Sequence, residues 1–209
     1  MQFTKDAINQ MEQRYRAAFI NSLGGFKSLI LVGTADQMAA SNLAVLNSLF
    51  HIGANPPLCG LIFRPDVADR HTLDNIIETG WYTINHVSEG FYRAAHQTSA
   101  RYPKELSEFS AVGLTPEWHS EFKVPFVAES AIKWLMKFRE KHDLTINGTH
   151  LVIGEIMEVH IPEDILQEDG FVDIEKAGTL TCSGLDSYHK TQKISRLSYA
   201  KTDRWNHEI

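Results

Sequence analysis

Residues 42–79, NLAVLNSLFHIGANPPLCGLIFRPDVADRHTLDNIIET, constrain this chain more than any other stretch. Two apolar runs, residues 43–52 and 58–63, are joined by Gly53-Ala54-Asn55-Pro56-Pro57, and a basic turn, Arg70-His71-Thr72, then opens a short amphipathic segment. Apolar runs of this length bounded by Gly and Pro read as strands, and the segment after the turn reads as a helix. With Thr72 as N-cap and Arg70 beside it, the helix start would gather a hydroxyl, unpaired backbone N–H groups, the positive end of the helix dipole and a guanidinium. That is the donor set that holds a phosphate-bearing ligand. The same residues also describe an ordinary capped helix with a surface arginine, and the turn alone does not separate the two.

The rest of the chain adds strands more than helices. Residues 28–34 (SLILVGT) form a continuous apolar run, the first strand of the core, and residues 81–85 (WYTIN) are aromatic and β-branched. Residues 131–138 and 149–160 read as further strands, the latter alternating apolar and polar at 156–159. Gly80 fits the position just past the helix end. Residues 4–19 place Ala7, Ile8, Met11, Tyr15, Ala18 and Phe19 at helical spacing behind Thr4 as N-cap, predicting an amphipathic helix packed on the main body or on a partner subunit. Residues 88–121 form a less regular insertion with a helix at 92–97, of the kind that packs over a site. Pro162 opens a short helical turn. Lys141-His142-Asp143 and residues 167–170 read as charged loops, and residues 203–209 as a frayed tail.

Strands in such number without regular strand–helix alternation exclude a doubly wound parallel sheet and predict a mainly β chain with peripheral helices, a β-barrel. A chain of 209 residues, 43% hydrophobic, suffices for one sizeable core, so residues 1–209 are expected to form a single domain with its N-terminal helix within residues 1–25. A net charge of −6 argues against a nucleic-acid or anionic-membrane surface as main partner. No apolar run is long enough to span a bilayer, and the N-terminal residues lack the apolar core of a signal peptide, which points to the cytoplasm. Cys59 and Cys182 have no CxxC partner and are expected to be structural thiols in a reducing compartment. Ten histidines show no HxH, no HExxH and no cluster at ligand spacing, so no metal site is expected. There is no GxGxxG and no complete P-loop.

The ordered pieces Asn42-Leu43-Ala44, Leu49, Asn55-Pro56-Pro57, Arg64-Pro65, Thr72 with Asn75-Ile76, the strand ending in Asn85, Pro125 through Ser130, His150 through Ile156, and Arg196-Leu197-Ser198-Tyr199-Ala200 together resemble the flavin reductase-like family. The resemblance runs from about residue 27 to residue 201. It implies a split β-barrel of Greek-key type that binds FMN, built as a homodimer with the flavin near the subunit contact. The activity it implies is NAD(P)H-dependent reduction of flavin or of a small acceptor through bound FMN, with NADH or NADPH as donor. The alternative is an FMN-binding electron-transfer protein, flavoredoxin-like, without NAD(P)H turnover of its own.

Such chemistry needs no protein nucleophile, because the cofactor accepts the hydride and the protein binds and orients it. Asn47, Ser48 and Leu49 are the candidates for the flavin ring and phosphate. They resemble one branch's Asn-Ser-Phe except for leucine in the last place, and a strand-end polar pair is the alternative. Arg64, Arg70 and Thr72 are the phosphate candidates, an arginine fork matching phosphate oxygens in a bidentate way. Asp66, Asp69 and Asp74 offset that charge. His150 stands where one branch carries Gly-Asp-His near the nicotinamide, with Thr149 replacing the aspartate, and reads either as a catalytic residue or as a hydrogen-bonded structural histidine. Tyr188 resembles an aromatic residue of the family's C-terminal loop, for a place at the pocket, at the dimer contact or in a surface turn.

Overall fold

The computed structural model describes residues 1–65 and 71–209. Two helices, α1 (Lys5–Asn9) and α2 (Gln13–Leu23), precede strands β1 (Lys27–Ser28), β2 (Ile30–Ala35), β3 (Ser41–Leu46), β4 (Phe50–Ala54) and β5 (Pro57–Phe63). Helix α3 (His71–Thr79), strand β6 (Trp81–His86), helices α4 (Tyr92–Gln97) and α5 (Glu108–Val112) and short strands β7 (Pro116–Trp118) and β8 (Pro125–Val127) follow. A long hairpin of β9 (Lys133–Leu144) and β10 (Thr149–His160), a 3-10 turn at Glu163–Ile165, and a hairpin of β11 (Thr181–Ser183) and β12 (Ser187–His189) come last.

Seven strands pair antiparallel in the order β3-β2-β6-β9-β10-β5-β4. The two edges of that sheet, β3 and β4, are consecutive in sequence and separated only by residues 47–49. The four Cα steps from Leu46 to Phe50 reach at most roughly 14 Å, whereas six strand spacings laid flat would put the edges about 29 Å apart. The sheet must therefore curl until its edges meet. The result is a split β-barrel, with Greek-key connections that bring β2 beside β6 and β5 beside β10. The run read as one strand over residues 43–52 is thus two strands with the corner of the barrel between them.

Strand β2 shows why residues 29–32 are all apolar. Ile30 and Val32 face a core inside the barrel with Leu61, Tyr82, Ile84, Met136 and Val152. The alternate residues Leu29 and Leu31 face a second core with Leu43, Phe91, Ala95 and Phe109, formed where α4 and α5 cover the outer surface. A strand buried on both faces has no place for polar alternation. Asn85, fully buried, fastens a further strand: its amide donates to the Leu31 carbonyl at 3.2 Å and its Oδ1 accepts from the Val127 amide at 2.9 Å, fixing β8 against β2 and β6. Gly80 ends α3 in the left-handed region at φ 78°, as its place in the sequence predicts.

Three expectations need correction. The helix over residues 4–19 is two helices, because the Glu12 carboxylate accepts from the Arg14 and Tyr15 amides at 2.8 and 3.0 Å and starts a new helix there. Thr4 does cap the first, but neither helix has a buried residue, so this segment does not pack into the barrel. Lys141-His142-Asp143 is not a loop but the outer end of β9, whose exposed charges alternate while its backbone pairs with residues 150–152 of β10. The tail is a small hairpin, with bridges Leu197 to Glu208 and Lys201 to Arg204. No described helix is long and apolar enough to cross a membrane. Both cysteines are free and buried, and burial pushes both thiols up.

Candidate functional site

The corner at residues 47–49 is held by three side-chain contacts. The β4–β5 register places Ser48 opposite Ile62, and the Ser48 hydroxyl takes over both backbone bonds there, donating to the Ile62 carbonyl at 2.9 Å and accepting from the Ile62 amide at 3.1 Å. The Asn47 amide donates to the Gly184 carbonyl at 3.1 Å, and the Lys27 ammonium donates to the same carbonyl at 3.2 Å. The Ser28 hydroxyl donates to the Leu49 carbonyl at 3.2 Å, and the Leu49 side chain packs on the barrel core. A hydroxyl has one proton to give. Ser48 has spent its proton on Ile62, so what the corner offers a ligand is a rigid backbone more than side-chain donors.

Strand β5 brings the corner to two other candidates. Phe63 pairs with His150, and Arg64 follows directly, exposed at the strand end. His150 is buried, and its Nδ1 lies 2.5 Å from Asp143 Oδ1 across the β9–β10 register. The carboxylate partner of His150 thus stands on the neighbouring strand, while the adjacent position holds Thr149. Lys141, 2.5 Å away, and then His150 hold the Asp143 carboxyl below the usual carboxylate range. Read as a loop, Asp143 gave no hint of this. Its signal is the hairpin arithmetic, in which Thr149 pairs with Leu144 and His150 therefore with Asp143.

Thr72 is not the N-cap but lies inside α3, buried, and its hydroxyl accepts from the Asn42 amide at 2.8 Å. Thr34 accepts from both Asn42 at 3.2 Å and Asn75 at 3.1 Å, so a buried polar network pins α3 to β2 and β3. Thr72 sits at the Asn42 end of β3 and the corner at the other, about 13 Å apart along the strand. A ligand touching both lies lengthwise over β3. Arg70 falls outside the described residues. Among the described residues no group of three or more His, Cys, Asp or Glu could hold a metal.

The structure brings together at the end of β5 a rigid corner, an exposed arginine and a buried histidine–carboxylate pair. Residues 23–178 match the model of the flavin reductase like domain. A protein from Shewanella frigidimarina described as a flavin reductase with split barrel domain is 52% identical, with a TM-score of 0.92 over 96% of this chain and 100% of that one. Nitrilotriacetate monooxygenase component B from Bacillus cereus shares the fold at 22% identity, with a TM-score of 0.82 over 94% of this chain and 98% of that one. Flavoredoxin of Desulfovibrio vulgaris is 25% identical, with a TM-score of 0.70 over 85% and 91%. With three-quarters of its length matched by that model on a split barrel, this chain belongs to the flavin reductase-like family.

Proposed function

We propose that this protein binds FMN along β3, with its ring at the corner of residues 47–49 and its phosphate toward Arg64, Arg70 and Thr72, and that it works as an NAD(P)H-dependent oxidoreductase. The observation that carries this reading is the convergence on the end of β5 of three features separate in sequence: the corner, Arg64 and the Asp143–His150 pair. Bound FMN would supply two-electron chemistry by accepting hydride. The chain's own residues would do the rest. Residues 47–49 present backbone groups to the ring edge, and Arg64 and Arg70 neutralise the phosphate. Asp143 fixes the orientation of His150, which stands ready to position the nicotinamide of NADH or NADPH.

Homodimer formation fits the surface. Tyr15, Leu23 and Phe26 are 60%, 68% and 69% exposed on one N-terminal segment, an apolar face that a second copy of the chain would cover. Two free, buried thiols suit a reducing compartment such as the cytoplasm. The likeness to a flavoredoxin keeps a second reading in view, an FMN-bearing electron carrier without NAD(P)H turnover.

The absorption spectrum of the purified protein, repeated after anaerobic addition of NADH or NADPH, tests the proposal. A flavin spectrum that bleaches with either nucleotide supports the oxidoreductase, and one that bleaches only with dithionite supports the carrier. A colourless protein that takes up no FMN refutes both.

A further inference from the structure

The outside of the barrel is covered unevenly. Helices α4 and α5 lie over β3, and strand β8 lies over β2 and β6. Among the described residues no helix or strand is laid in that way over β4, β5 and the first half of β10. Side chains along these strands alternate between the interior and the outer face. Cys59, Leu61 and Phe63 of β5 and Val152 of β10 belong to the core. That leaves Leu58, Gly60 and Ile62 outside, with Leu151 opposite Ile62 and Ile153 opposite Gly60. Phe50 of β4 also pairs with Gly60 and lays its ring on that glycine, where a Cβ would fall 2.3 Å from Phe50 Cζ. The solvated face of an antiparallel sheet is ordinarily polar. This one is apolar at Phe50, Leu58, Ile62, Leu151 and Ile153, and among the described residues none of the five packs on a core cluster. Phe50 is 42% exposed. Strand β9 borders the patch with both signs of charge: Glu140 lies opposite Ile153, Lys137 lies opposite Glu155, and Arg139 pairs with Glu155. An apolar centre inside a polar rim is the anatomy of a protein interface. Strand β4 is moreover a sheet edge, the kind of element that folded chains keep covered.

We propose, resting on the homodimer reading above, that a second copy of this chain packs about a two-fold axis on the outer face of β4, β5 and β10. A second copy suits this face because a rim that carries both signs of charge is complementary to itself, whereas a rim of one sign would call for an unlike partner. The face also continues toward the exposed N-terminal segment. Phe26 directly precedes β1, whose Ser28 hydroxyl bonds the Leu49 carbonyl, and Phe50 follows Leu49. The two apolar surfaces thus border the corner of residues 47–49 from either side. The sheet patch spans roughly 14 by 20 Å, and the exposed rings of Tyr15 and Phe26 add on the order of 100–150 Å² each. The sum, about 600 Å², is at the lower end of what one partner gives to a stable interface. Because Ile62 carries both bonds of Ser48, a copy seated here also clamps the corner.

The test compares the full-length wild type with Ile153→Glu on the face and with Ile146→Glu at the exposed tip of the β9–β10 hairpin. Sedimentation and light scattering over the micromolar range read the mass, and fluorescence titration reads FMN affinity. Wild type should have the mass of two chains. Ile153→Glu brings two unpaired carboxylates into the contact, and should associate at least about 100-fold more weakly and hold FMN about 10-fold more weakly. Ile146→Glu should match wild type in both. A monomeric wild type leaves the face to an unlike partner and overturns the homodimer reading together with this inference. A wild-type dimer whose Ile153→Glu variant is equally dimeric overturns the face alone, as does an Ile146→Glu protein that dissociates as fully as Ile153→Glu. Should Ile153→Glu fail to fold, hydrogen exchange of the wild type decides. Amides of residues 50–54 should exchange more slowly in concentrated than in dilute protein, and equal exchange overturns the inference. A colourless dimer refutes the flavin reading and leaves the mass and exchange measurements to judge the face.

Discussion

Gly154 lies at a break in register on β10, where the β9 pairing slips between Ile153 and Gly154, and the barrel interior depends on its lack of a side chain. A Cβ built there would lie 2.9 Å from Tyr82 Cζ, closer still to Tyr82 Oη, and 3.0 Å from Met136 Cε. Tyr82 and Met136 are both fully buried, so neither can swing into solvent to relieve the overlap. Overpacking of a well-filled core costs roughly 1–3 kcal/mol, and with two buried neighbours the upper end applies. Gly154→Ala should therefore lose about 3 kcal/mol, which for a chain of this size is a fall of about 6–12 °C in Tm.

The Tyr82 hydroxyl is the closest obstacle, and it is buried with no hydrogen-bond partner among the described residues. Tyr82→Phe alone should change stability by less than about 1 kcal/mol, since the lost hydroxyl leaves nothing unpaired. Combined with Gly154→Ala it should recover about 1–2 kcal/mol, and not all, because the ring carbon remains in the way. Urea denaturation of the four proteins gives the coupling directly. A Gly154→Ala cost that is the same with and without Tyr82→Phe would refute the steric account and place the cost in the backbone of the bulge.

Burial holds the His86 imidazole down to about 4, so the folded state stays neutral while the unfolded chain takes up a proton below its pKa near 6.5. Stability should be complete above pH 7 and fall by up to about 3 kcal/mol as the pH drops from 6.5 to 4, and thermal melts of wild type against His86→Gln should show a steeper decline in the wild type over that window. Ser48→Ala leaves the Ile62 amide and carbonyl without their partner at the barrel corner and should cost about 1–3 kcal/mol by denaturation, with loss of bound chromophore on dilution. Arg70→Ala should weaken FMN by about 10- to 100-fold, the loss of a charge-assisted hydrogen bond, and riboflavin far less, as read by fluorescence titration of the apoprotein. Equal weakening of both ligands would mean general damage to the turn.

Much of the barrel is legible in the sequence because each strand's burial leaves a local mark. The apolar run at the start of β2 records two cores, one on each face, and the aromatic β6 is a local pattern of the same kind, whereas the alternation read at residues 156–159 of β10 is not matched by burial, which alternates earlier, over residues 149–154. What the sequence hides is wherever a residue's role depends on a distant register. Nothing around Asn47-Ser48-Leu49 marks a crossing from one sheet edge to the other, because the residues on both sides are equally apolar and the turn is made by Ser48 bonding to Ile62, fourteen positions away. Thr72 looks like a cap from its neighbours and is instead half of a pair with Asn42. Asp143 looks like loop charge until Leu144 and Thr149 are known to be opposite each other.

The Asp143–His150 pair shows what strand register supplies that the sequence neighbourhood does not. A histidine in this setting gains from a carboxylate, and the adjacent position offers only Thr149. Antiparallel pairing puts directly opposite residues within about 5.5 Å at the Cα atoms, so a carboxylate at Asp143 reaches His150 Nδ1 as readily as a sequence neighbour would, and it does so at 2.5 Å. Position 143 is also more than half exposed and carries Lys141 on the same oxygen, and its bonds to Lys141 and His150 outweigh the desolvation of the carboxylate. The pair is thus made across two strands and not along the sequence. A search for such sites by adjacent motif passes over this chain, and a search by strand register finds it.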